Sequence, residues 1–325
     1  MCKDASRRIY PRGMFKLKDT LYNLLDEAGI TVPANMRFYP YVCTYDCESL
    51  LLQQVDIPST SRTSYSHRHE LVSISVASNV PGFETPVCIV REVGFSTYDV
   101  VNTFIDYITE ISEAANLLLI EQYEEYRSLI DDEQLEKRFD TYMSQIPVIG
   151  FNSGSYDLNI LKPDLIPILH QRDPETFVIK RGSNYMTIST SSFRFLDILF
   201  YLAPGFNYEQ FIKAYGAEAE KGYFPYEFMD SLEKLNSRIF PEYHRFYSVL
   251  KQVNVLEAEH ARFDKLIAEG KSVEAALGDM NINEIPQTGI EKYQDLVTMF
   301  YQNNWSMKDY LVWYNNKGLF ILIIL

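Results

Sequence analysis

The chain has 325 residues, is 46% hydrophobic and 14% aromatic, and carries a formal net charge of −14. That composition excludes a disordered polypeptide. The acidity excludes nucleic-acid binding by bulk positive charge, but not through a local basic groove or a metal-bridged phosphate contact. Four cysteines without a C-x-x-C pair and five scattered histidines give no zinc spacing, so reduced thiols in an intracellular setting are expected.

The opening "MCKDASRRIYPRG" lacks the apolar centre of a signal peptide. No stretch approaches the roughly 20 apolar residues that span a bilayer. The closing "LFILIIL" is too short for that and reads as the start of a buried element.

In chain order, Phe15 to Ile30 has apolar residues at helical spacing. Three strands follow, from about Phe38 to Glu48, across "HELVSISVASNV" and across "PVCIVREVG", with "PGFETP" as a turn. Their short connections predict an antiparallel meander. Thr97 to Ile130 is a long amphipathic helix whose acidic face supplies much of the net charge. "PVIGFN" is a short apolar strand, "SGS" a turn, and "YDLNILKPDLIPILH" opens a helix. Thr176 to Leu202 reads as further strands with a tight turn at "RGSN". From Asn207 on the pattern is mostly helical, including Glu227 to Phe240 and Pro241 to Gly270. The order predicts an α/β class with a mixed sheet and a helical C-terminal part.

Two motifs carry chemistry. In "TYDCESL", strand geometry puts Asp46 and Glu48 on one face and Cys47 on the other. Two carboxylates on one face repel unless a cation lies between them. The pair therefore suits Mg²⁺ or Mn²⁺, or else forms a solvent-facing acidic edge. In "GFNSGSYDLNIL", Asn152, Tyr156 and Asp157 sit at a strand-to-helix junction, where Asp157, taken alone, reads as a helix cap or a favourable dipole contact.

Together, and in this order, these segments resemble the Exo I and Exo II motifs of the 3′–5′ exonuclease domain of family B DNA polymerases. "VIGFNSGSYDLNILK" resembles the protein-primed branch of organellar, viral and Maverick/Polinton-type enzymes. "FRFLDILFYLAPGFNYEQFIKAYG" and "KGYFPYEFMDSLEKL" look like its mobile-element members, and the resemblance runs from about Arg37 to Lys317. It implies a ribonuclease H-like, DnaQ-like fold over residues 37–318, after an N-terminal extension (1–36) and before an apolar tail (319–325).

The resemblance also implies two-metal phosphodiester hydrolysis in DNA replication. Asp46, Glu48 and Asp157 would bind metal. Asn152 and Tyr156 would hold the single-stranded 3′ end. Lys221 fits a Lys-x-x-hydrophobic element, or is a surface lysine. The partners implied are a single-stranded DNA 3′ end, a polymerase domain, a terminal protein primer and no membrane. The compartment implied is a nucleus or organelle in a eukaryotic host.

The family's Exo III motif is Tyr-x-x-x-Asp. "SMKDYLVWYNNKG" supplies Tyr314, but Gly318 stands at the Asp position. Tyr22 to Asp26 and Tyr226 to Asp230 match the spacing in the wrong order, and Asp309 precedes Tyr314. Glycine supplies no oxygen ligand and weakens a helix by about 1 kcal/mol relative to Ala. A second ion is therefore expected to bind poorly and hydrolysis to be reduced or absent. No polymerase motif follows, so the tail reads as the edge of a larger protein. An inactive fragment, a non-enzymatic single-stranded DNA-binding module and an unrelated α/β protein with accidental motifs are the competing readings. The last requires Asp157 to lie away from the Asp46/Glu48 strand.

Overall fold

The computed structural model describes residues 21–53, 67–214 and 222–323. In order come α1 (Leu21–Glu27), β1 (Cys43–Gln53), β2 (His67–Ser78), β3 (Val87–Val90), α2 (Thr97–Arg127), α3 (Glu133–Ser144), β4 (Ile146–Gly150), α4 (Asp157–Arg172), β5 (Phe177–Arg181), β6 (Asn184–Ser189) and β7 (Phe193–Asp197). Then follow α5 (Tyr208–Ala214), a two-residue pair β8 (Tyr247–Ser248) and β9 (Val253–Asn254), α6 (Ala258–Ala268), α7 (Val273–Met280), α8 (Gly289–Gln302) and α9 (Met307–Ile323).

One mixed sheet organises the chain, in the order β3-β2-β1-β4-β7-β6-β5. The predicted meander is present, since β1 pairs antiparallel with β2 and β2 with β3. β4 lies parallel to both β1 and β7. Its buried Ile146 and Val148 suit a strand enclosed on both edges.

One face is covered by α2 and α4. Ser96 caps α2 in a reciprocal capping box with Asp99. An apolar stripe on α2, including Phe104, Ile105, Ile108 and Ile111, then packs with Cys43, Tyr45, Cys47 and Ile74 of the sheet and Leu158, Leu161 and Leu165 of α4. The other face carries α9, whose Tyr310, Leu311 and Tyr314 share a cluster with Leu50, Val72 and Phe224. Leu25, Ile30 and Val32 pack with Leu119, Tyr123 and Phe139, which ties residues 21–36 to α2 and α3.

Several expectations need correction. α3 was not anticipated. It starts at the Asp132 cap, which accepts from the Leu135 amide at 2.7 Å. Glu227 to Phe240 is not a helix but two short 3-10 turns, Tyr226–Phe228 and Leu232–Asn236. Pro241 to Asn254 holds another such turn and the β8–β9 pair, and helix begins only at Ala258. Pro225 and Pro241 stand only at the ends of the first segment, where proline is compatible with helix. The buried side chains of Phe224, Met229, Leu235, Phe240 and Phe246 anchor this irregular chain instead. α9 runs through Gly318 to Ile323, and Leu319 is fully buried, so the apolar end continues this helix. Among the described residues no helix is long and apolar enough to cross a membrane.

Candidate active site

β1 runs on past the short β4. The two pair only at Cys43↔Val148 and Thr44↔Ile149, so the edge of β1 beyond Thr44 faces the turn that leads into α4. The first residue of α4 fills that edge. The Cys47 amide donates to Asp157 Oδ1 at 3.1 Å. Asp157 and Glu48 are buried, and Asp46 is half-buried.

The proximity is electrostatic as well as geometric. Burial pushes the Asp157 carboxyl up to about 8, and the neighbouring charges of Asp46 and Glu48 push the same way, against the stabilising Cys47 amide. Burial beside these carboxylates also raises the Cys47 thiol. Asp46, Glu48 and Asp157 are thus brought together. Among the described residues, however, no three His, Cys, Asp or Glu side chains converge as a ready cation cluster.

On the α9 side, the Tyr226 hydroxyl donates to Glu48 Oε2 at 2.7 Å and lies 3.0 Å from the Tyr314 hydroxyl. Tyr314 therefore reaches Glu48 through Tyr226. Tyr226 belongs to a Tyr-x-x-x-Asp match that is out of motif order, and nothing in its local sequence marks it for this contact. Gly318 contributes its backbone, with its carbonyl accepting from the Tyr208 hydroxyl. Beside Tyr314, Asn315 donates to Ser73 Oγ at 3.0 Å, and Asn316 accepts from Ser75 Oγ at 2.8 Å.

The turn between β4 and α4 is built by Asp197, which sequence reasoning missed. Its buried carboxylate closes β7 and accepts from the amides of Asn152 at 2.9 Å, Gly154 at 3.0 Å and Leu199 at 3.0 Å. Burial raises its pKa while these amides lower it. Asn152 has φ of 58°, a left-handed conformation that asparagine tolerates, and its Oδ1 accepts from Ser155 Oγ at 2.6 Å. A Cβ on Gly154 would meet the Tyr185 carbonyl at 2.3 Å, so only glycine fits.

Tyr156 is 38% exposed at the mouth of this turn. Its hydroxyl lies 2.9 Å from both Ser49 Oγ and His69 Nδ1. Lys221 falls outside the described residues. A cleft of about 990 Å³ lies elsewhere, lined by Asn116, Lys137, Gln145, Phe177 and Ser191 among others.

No protein-family model matches the chain, and no curated protein matches it.

Proposed function

We propose that residues 37–318 form a ribonuclease H-like module that binds the 3′ end of single-stranded DNA at a divalent-cation site. We read it as the 3′–5′ exonuclease portion of a protein-primed family B DNA polymerase. Polymerisation is not assigned to these residues. The observation that carries the reading is the contact of Asp157 with the Cys47 amide, which sets a third carboxylate against the strand bearing Asp46 and Glu48. The strand order supports it too. Across β3-β2-β1-β4-β7, only β2 runs against the others, as in ribonuclease H-like sheets.

The donor set fits a hard divalent cation. It is all oxygen and anionic, and its mutual repulsion is what a cation would relieve. Asp46, Glu48 and Asp157 would hold Mg²⁺ or Mn²⁺, which when bound supplies charge for the phosphodiester oxygens and acidity for water. Glu48, fixed by Tyr226, orients the attacking water. Tyr156 offers a half-exposed ring on which a terminal base stacks. Gly318 adds no carboxylate, so a second ion would be held weakly and hydrolysis would be slow.

Calorimetric titration with Mn²⁺, alongside an Asp46→Ala/Asp157→Ala variant and a 3′-labelled single-stranded DNA assay, tests this. Metal binding that needs both aspartates, with weak or no hydrolysis, is expected. Equal metal binding by the variant, or degradation that the variant retains, would overturn the reading, and processive degradation by the wild type alone would overturn the effect assigned to Gly318.

A further inference from the structure

His69 is a residue that the motif order leaves aside, and the fold brings it to the site by a single irregularity. On β2, Ser73 and Ser75 face α9, where they bond Asn315 and Asn316. Strict alternation would put His69 on that face as well. The β1–β2 register shifts between Glu48 and Ser49, so that Glu48 pairs Ser73 but Ser49 pairs Leu71. Val72 is the extra residue, a β-bulge that turns Leu71 and His69 to the opposite face. That face holds Ser49 and the start of α4.

There three polar atoms touch pairwise. Ser49 Oγ is 3.0 Å from His69 Nδ1, and the Tyr156 hydroxyl is 2.9 Å from each. The His69 and Tyr156 rings meet edge-on, 5.5 Å apart and inclined at 88°. The hydrogens of this triangle decide the tautomer. With Nδ1 unprotonated, both hydroxyl hydrogens have acceptors inside the triangle. With Nδ1 protonated, three hydrogens compete for two oxygens and one must leave. Partial desolvation of the ring also lowers the His69 pKa, which favours the neutral ring. The ring proton then sits on Nε2. His69 is solvent-exposed, so that N–H is offered at the surface.

Resting on the function proposed above, we propose that His69 is a positioning and binding residue. Its Nδ1 holds the Tyr156 hydroxyl, and its Nε2–H donates to a phosphodiester oxygen of the single strand whose terminal base lies on Tyr156. Loss of one such hydrogen bond weakens binding about five- to tenfold.

The two halves separate in conservative variants. His69→Asn keeps an acceptor near Nδ1 and removes the outer donor. His69→Gln does the reverse. Long-range proton–nitrogen spectra of the full chain should show His69 as the Nε2–H tautomer, assigned by its absence in His69→Gln. Fluorescence anisotropy with a 3′-phosphorothioate oligothymidylate in Mg²⁺ should show His69→Asn weakened as above. Both variants lose the imidazole ring current on Tyr156, so the Tyr156 ring resonances should move in both and further in His69→Gln, which also loses the acceptor for the hydroxyl. An Nδ1–H tautomer, or His69→Asn binding equal to wild type, would overturn this inference alone. A wild-type chain that binds no oligonucleotide would overturn both it and the reading beneath it.

Discussion

The Cys47 amide on β1 donates to the Asp157 carboxylate on α4 across 110 residues of sequence. That bond does not offset the burial and the neighbouring charges, and the Asp157 carboxyl is pushed up to about 8. An unfolded aspartate titrates near ~3.9. Between those values the folded chain binds the proton that the unfolded chain has released, so stability falls as pH rises through that window. Urea denaturation in a chelator should show this fall, and Asp157→Asn should flatten it. Added Mg²⁺ should restore the wild type at the alkaline end and leave Asp157→Asn unaffected.

Gly318 tests the site from the other side. Gly318→Asp is expected to raise Mn²⁺-dependent hydrolysis of single-stranded DNA by about ten- to a hundredfold, the scale on which partners of a metal site act. Gly318→Ala controls for helix propensity and should leave the rate unchanged. A quantitative gel assay of 3′-end shortening reads both.

Tyr226→Phe removes the donor to Glu48 Oε2 with no change in ring shape. A buried carboxylate deprived of one hydrogen bond should cost about 1–3 kcal/mol of stability. Tyr314→Phe, one bond further from the carboxylate, should cost less. Denaturant midpoints of the two variants, compared at equal m-value, decide the order.

Gly154→Ala drives a methyl against the Tyr185 carbonyl, and the backbone must shift. A loss of about 1–3 kcal/mol is expected. Asp197→Ala, which strips the acceptor from the Asn152, Gly154 and Leu199 amides, should cost about 2–4 kcal/mol. Thermal unfolding of each variant checks both values.

What was legible in the sequence is what short-range physics controls. The 2-residue alternation of β1 put Asp46 and Glu48 on one face, and the apolar run of β4 marked a short strand. The turn chemistry of "NSGSYD" placed Asp157 at the head of a helix. Tyr226 was not legible, because it reaches Glu48 from an irregular segment held by aromatic anchors rather than by any periodicity. Asp197 was not legible either, since a lone acid at a strand end carries no mark of the three amides it will meet. His69 was least visible, because one extra residue in β2 reverses its face and no local pattern announces a bulge.

The serines of β2 and the paired asparagines of α9 have a mechanical consequence. Ser73 with Asn315 and Ser75 with Asn316 act as teeth between sheet and helix, and the Tyr208 bond to the Gly318 carbonyl adds a third catch. An apolar contact alone would let a helix slip or roll at small expense, but these teeth mesh at one setting. Rotating α9 would strand buried amide and hydroxyl groups, so residue 318 always presents the same side to the sheet. Gain or loss of an acid there is a change of cargo on a fixed mount, free to happen without rebuilding the frame.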